Sequence, residues 1–140
     1  MINYNSDKSF IAITFIKMRN LFSLKKAMAA FPRGIETISY LEIYNKLAKK
    51  EDRTNEPSEA LISTYIIKQL NTLLSDENTT HLCYILDTTD NDISEKMKNI
   101  MEFIKERSEK PVEFELISDE EEIVNQAKEL NINSKKYEIL

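Results

Sequence analysis

The chain has 140 residues, 41% hydrophobic and 31% charged, with a formal net charge of -5. That is long enough for one domain with a real core and too acidic for a general nucleic-acid coat, although a local basic patch stays open. One cysteine and one histidine exclude an internal disulfide and a Cys/His zinc site, and the longest apolar run is far too short to span a bilayer. The N-terminal MINYNSDK lacks the basic-then-apolar plan of a signal peptide, so a cytoplasmic protein without a membrane partner is expected.

In chain order, SFIAITFI (9–16) is the nearly continuous apolar run that a strand covered on both faces needs. Leu21, Leu24, Met28 and Phe31 then recur at helical spacing until FPRG stops the helix. GIETIS suits a second strand by length and flanks. In SYLE, Ser39 with Glu42 three residues on forms a capping box that opens a helix through Leu41, Tyr44 and Leu47. Lys49–Pro57 is the most polar stretch and reads as a loop, with Pro57 fitting the first turn of the next helix. That helix carries Leu61, Ile62, Tyr65, Ile66, Leu70, Leu73 and Leu74 on one broad face.

HLCYILD is a third buried strand ending in Asp87. Asp92 and Glu95 make a second capping box before Ile93, Met97, Ile100, Met101 and Ile104. In KPVEFELIS, a fourth strand, Val112, Phe114 and Leu116 alternate with Glu113 and Glu115. The outward glutamates predict an edge or half-exposed position. Ser118 or Asp119 caps a last helix through Ile123, Val124, Ala127 and Leu130. The order β-α-β-α-α-β-α-β-α predicts one α/β domain over 1–140, a three-layer sandwich around a mostly parallel four-stranded sheet with right-handed crossovers. Ligands of such sheets sit at the carboxyl ends of the strands. The turns after Ile16, Ser39, Asp87 and Ser118 are therefore the ones that matter.

The segment HLCYILDTTDNDISEKMKNIMEFIKERSEKPVEFELIS resembles the second half of the polynucleotide kinase group of P-loop kinases. In that group a strand ends in Asp-x-Thr or Asp-Thr-Asn, a helix closes near Lys-Glu, and the next strand begins Val-Glu. ISYLEIYNKL is similar to that group's I-S/N-R-D-D-x-R signature, SFIAITFI to its first strand, and DEEEIVNQAKE stands where its lid begins. The resemblance spans roughly 9–130 and implies a P-loop-kinase-like sheet with strand order 2-3-1-4.

The chemistry of that group is missing. A P-loop needs G-x-x-x-x-G-K-[ST], with glycines that let backbone N–H groups close on phosphate. The corresponding positions are Phe15, Asn20, Leu21 and Phe22, or Ile16, Leu21, Phe22 and Ser23 after a shift of one. Phe15 and Leu21 are expected to put apolar side chains where phosphate would lie. The base position falls on Leu41 or Glu42, and the accompanying arginines on Tyr40 and Tyr44. The lid reads SDEEEIVNQAK in place of arginines. Only Asp87 survives, where the resemblance implies water-mediated magnesium.

The leading expectation is a non-catalytic kinase-like protein, a phage-type binding or regulatory module with a protein partner and no cofactor. Its candidate contact residues are Lys17, Arg19, Lys25, Lys26 and Arg33 around the first turn and helix, with Tyr40 and Tyr44 near the ligand edge. Two alternatives stand beside it. Asp87, Asp90 and Asp92 form an acidic turn that a metal-dependent nuclease or phosphatase could use. The Lys17–Arg33 patch could bind nucleotide or nucleic acid without chemistry.

Overall fold

Seven consecutive buried residues, Ile11–Lys17, make β1 the centre of the molecule. The computed structural model describes residues 10–31, 35–50, 57–87 and 92–138. Within them the elements run β1 (Ile11–Lys17), α1 (Leu21–Ala29), β2 (Glu36–Ser39), α2 (Tyr40–Lys50), α3 (Glu59–Ser75), β3 (His81–Ile85), α4 (Ser94–Arg107), β4 (Val112–Ser118), α5 (Glu121–Glu129) and β5 (Asn133–Lys136). The sheet has five strands in the order β2-β3-β1-β4-β5, every pair parallel. The expected 2-3-1-4 order is therefore extended by a fifth strand.

The handedness of the crossovers sorts the helices. From β1 the chain steps to β2 on one side. Every later connection steps the opposite way, so right-handed crossovers put α1 on one face and α2–α5 on the other. Alternation along β1 follows this split. Ile11, Ile13 and Phe15 join a large cluster with Ile43 and Leu47 of α2, Ile62, Ile66 and Leu70 of α3, Met97 and Ile104 of α4, and Ile123 of α5. Ile16 faces the smaller cluster with Ala27 of α1, Cys83 and Ile85, where Leu24, Met28 and Phe31 pack.

Four local readings need correction. β4 is not an edge, because β5 pairs beyond it; the half-exposed alternative holds for Val112–Phe114, with Glu113 exposed, but Glu115 is only 2% exposed, opposite Thr14 of β1. β5 was invisible in the sequence because Asn133–Lys136 carries no apolar residue. It is positioned by the end of α5, where Asn131 takes φ 59° and the N–H groups of Asn131 and Ile132 bond back to Lys128 and Ala127. That is a Schellman stop with asparagine in the left-handed position.

The third correction concerns caps. Ile93, not Asp92, is the N-cap of α4, and Asp92 instead accepts from the N–H and hydroxyl of Ser94. Those bonds lower the Asp92 pKa. Glu120 is the N-cap of α5, and Pro57 lies just outside α3, whose cap is Ser58. The fourth concerns faces: Leu21 and Leu41 are 66% and 47% exposed, and Ile43 takes the inward position on α2. Of the polar segment Lys49–Pro57, residues 51–56 lie outside the described residues.

Candidate functional site

The carboxyl ends of β2, β3, β1 and β4 carry two aspartates that share one construction. Asp87 follows β3 and reaches the turn of the neighbouring β2. Its Oδ2 accepts from the Ser39 hydroxyl at 2.8 Å and its Oδ1 from the Leu41 N–H at 2.8 Å. Ser39 Oγ in turn accepts from the Glu42 N–H at 3.1 Å, so the predicted N-cap of α2 is present and braced from across the sheet. Asp119 follows β4 and reaches the turn of its own neighbour, β1. Its two oxygens accept from the N–H groups of Arg19 and Asn20 at 2.8 and 3.1 Å.

This second contact decides what the β1–α1 turn can do. In a phosphate-binding turn, successive backbone N–H groups and the helix N-terminus converge on an external anion. Here Asp119 takes Arg19 and Asn20, while Asn20 Oδ1 accepts from Phe22 and Ser23 at 2.8 and 3.2 Å. Four N–H groups at the helix start thus point to acceptors within the chain. Around them lies an open hollow of about 500 Å³ lined by Arg19, Asn20 and Asp119–Glu122. Its acidic lining opposes a polyphosphate.

The expected obstruction by apolar side chains is not what fills the turn. Phe15 is fully buried, stacked on Phe114 and tilted against Tyr84 with centroids 6.0 Å apart in each case. Leu21 and Phe22 point to solvent. The anion position is held by a carboxylate 100 residues away in sequence from Arg19. Only the 20-to-119 pairing, invisible to local motifs, could have revealed it.

The contact candidates divide. Arg19, Lys25 and Lys26 are exposed around the first turn and helix, whereas Lys17 is 5% exposed at the end of β1. Arg33 lies outside the described residues. Tyr40 and Tyr44 are half-buried against the main cluster. Tyr40 also borders a cavity of about 290 Å³ between α3 and α4, lined with Ile67, Tyr84, Phe103 and a Glu59–Lys96 pair at 3.4 Å. Burial, and then the charges of Tyr40 and Asp87, push the Tyr84 hydroxyl pKa upward.

Of the acidic turn, Asp90 lies outside the described residues. Among the described residues no group of three or more His, Cys, Asp or Glu side chains could hold a metal ion. Both Asp87 oxygens already accept hydrogen bonds. Cys83 is buried within β3, and that burial pushes its thiol up to about 12.

A scan against protein-family profiles finds no match, and a search of curated proteins finds none either. Among solved structures the chain is similar to a de novo designed protein of P-loop NTPase fold, determined by solution NMR. The TM-score is 0.51 at 16% identity, over 91% of this chain and 80% of that one. The fold is P-loop-like. At that identity the likeness carries architecture alone. No helix among the described residues is long and apolar enough to cross a membrane.

Proposed function

We propose that the chain is a non-catalytic relative of the polynucleotide kinase group, acting as a binding module for a protein partner. The observation that carries this reading is the Asp119 carboxylate on the two turn N–H groups. Phosphoryl transfer by this fold depends on those groups being free to cradle phosphate, with a lysine and a magnesium-binding hydroxyl beside them. Neither register supplies the lysine, the one hydroxyl, that of Ser23, belongs to a buried residue, and the neighbouring Asp119–Glu122 stretch repels what a lid of arginines would attract. The retained sheet then serves as a scaffold. The resemblance of the sequence segments to a kinase group found in phage nucleic-acid repair motivates the finer reading, a phage-type regulator directed at a host protein or nucleoprotein.

The test is direct. The full chain is incubated with ATP, Mg²⁺ and a 5′-hydroxyl oligonucleotide, and titrated with ATP by calorimetry. No phosphate transfer and no heat of ATP binding are expected. Transfer above background, or a crystal with the terminal phosphates of ATP on the Arg19–Asn20 turn, overturns the proposal.

A further inference from the structure

The outward face of α1 is patterned. Leu21, Phe22, Lys25, Lys26 and Ala29 are exposed and form one stripe along the helix. Leu21 and Phe22 are the two most exposed large apolar side chains among the described residues, at 66% and 56%. Isolated exposed apolar residues need no explanation, but these two are adjacent, and the helix they open contains no acid. Lys26 Nζ sits 5.4 Å from the Phe22 ring centroid, which holds the aromatic side chain beside the cations.

Beyond the N-terminus of α1 the surface changes sign. The hollow at the carboxyl edge of the sheet holds Asp119, Glu120 and Glu122 beside Arg19. Its remaining acid, Glu121, is engaged by Lys136 at 3.5 Å and adds nothing to the balance. Three carboxylates against one guanidinium leave the hollow acidic. Along α1 the surface therefore runs from acidic through apolar to basic.

That order is its own complement. In a parallel pair of α1 helices, Lys25 and Lys26 would meet their own counterparts, and so would the carboxylates. With one copy turned end for end, the basic end of each meets the acidic hollow of the other while the apolar residues coincide. The spacing allows this. About a two-fold axis beside Phe22, Lys26 stands four residues, roughly 6 Å, to one side along the helix. Arg19 and Asn20, on the rim of the hollow, stand two or three residues to the other. Such a contact is isologous and closes at two copies. Nucleic acid or an anionic membrane laid along α1 would instead run onto Glu120 and Glu122. A foreign protein would need the same alternation of charge that a second copy already carries.

From this self-complementarity we infer that the outer face of α1 is a two-fold homodimer interface, α1 antiparallel to α1. The two Phe22 rings meet at the axis, and Lys25 and Lys26 of each copy lie over Glu120 and Glu122 of the other. Nine helical residues supply only about 14 Å of contact. That is short of a standard interface, so the pair is weak and exchanges readily. The dimer goes beyond the binding-module reading and does not depend on it.

Sedimentation equilibrium of the full chain from about 10 μM to 1 mM is expected to show a monomer–dimer equilibrium. Phe22→Ser is expected to weaken it by at least about 30-fold, as a hot-spot truncation does, since both copies lose the ring. Lys25→Glu with Lys26→Glu sets acid against acid, and that variant alone is expected to stay monomeric. Glu120→Lys with Glu122→Lys is expected to do the same with base against base. An equimolar mixture of the two charge variants is expected to restore the dimer, because each then meets the opposite sign at both ends. None of these positions is buried, so circular dichroism of each variant should match the parent.

A chain that stays monomeric across that range overturns the inference. So does a dimer indifferent to Phe22→Ser, which must form through another surface such as a sheet edge. Folded charge variants that stay monomeric when mixed rule out the antiparallel arrangement and overturn it too. Phosphate transfer in the ATP assay, by contrast, sinks the module reading and leaves the dimer standing.

Discussion

Asp119→Ala is the substitution that separates a structural carboxylate from an incidental one. It removes the acceptor of two hydrogen bonds, at 2.8 and 3.1 Å, that tie the end of β4 to the β1–α1 turn. A hydrogen bond to a charged group contributes about 1.5–3 kcal/mol when well shielded. Both donors here lie on exposed residues, where water replaces much of what is lost. That brings the expected cost to about 1–2 kcal/mol for the pair. For a chain of 140 residues that lowers the thermal unfolding midpoint by roughly 3–7 °C, measured by calorimetry or by circular dichroism.

The same change exposes the two N–H groups to outside anions. Low-millimolar inorganic phosphate should therefore stabilise the alanine variant more than the parent, the difference removing the general salting effect of phosphate on any protein. Asp119→Asn should show the smaller loss, since an amide oxygen still accepts. An unchanged midpoint in Asp119→Ala, with phosphate stabilising both proteins alike, would refute the assignment of the turn to Asp119.

Four further outcomes are expected. Asp87→Ala should cost about 1–2 kcal/mol by urea denaturation, and adding Ser39→Ala should cost less than the sum of the singles, because one bond is shared between them. Leu21→Ser should change stability by less than about 0.5 kcal/mol, whereas Phe15→Ala should cost about 3–5 kcal/mol. The reverse order would restore the idea that Leu21 plugs the turn. Cys83 should resist a thiol reagent at pH 8 in the native protein and react on unfolding, with rapid native labelling counting against its burial. Stability should be insensitive to the Cys83 thiol below pH 9.0, its ordinary value, and fall as the pH rises toward 12, because the unfolded chain then binds fewer protons than the folded one, whose thiol pKa is pushed up to about 12. Tyr84 adds a loss of the same sign at high pH.

What could be read locally was read. The nearly continuous apolar run SFIAITFI announces a strand covered on both faces, which is β1, and periodicity locates α3, α4 and α5 with their buried residues. The failures share one cause, dependence on a distant partner. Glu115 looks like a solvent residue until β5 is placed beside β4, and β5 itself is fixed by backbone pairing with no apolar side chain to betray it. Its one local signal was Asn131 before Ile132, an asparagine able to stop a helix. Asp119 sits one residue before a helix N-cap in sequence, so a capping role was the natural local reading. Its actual donors lie 99 and 100 residues away. Likewise Asp87 was legible as a strand-end aspartate, but not that its oxygens belong to Ser39 and Leu41.

The two aspartates also explain how this frame stands without a ligand. Every helix begins with N–H groups that need acceptors. A glycine-rich phosphate loop leaves several of them to water until nucleotide arrives, so ligand binding there is coupled to ordering of the edge. Here Asp87 and Asp119 each cross one strand to the left in the sheet and supply the acceptors from inside the chain, with Asn20 and Ser39 completing the first turns. The edge is then ordered by folding alone, and a nucleotide would have to displace a carboxylate already in place before gaining any contact. With the helix starts satisfied in this way, α1 is free to present an apolar, basic outer face that phosphate chemistry does not require.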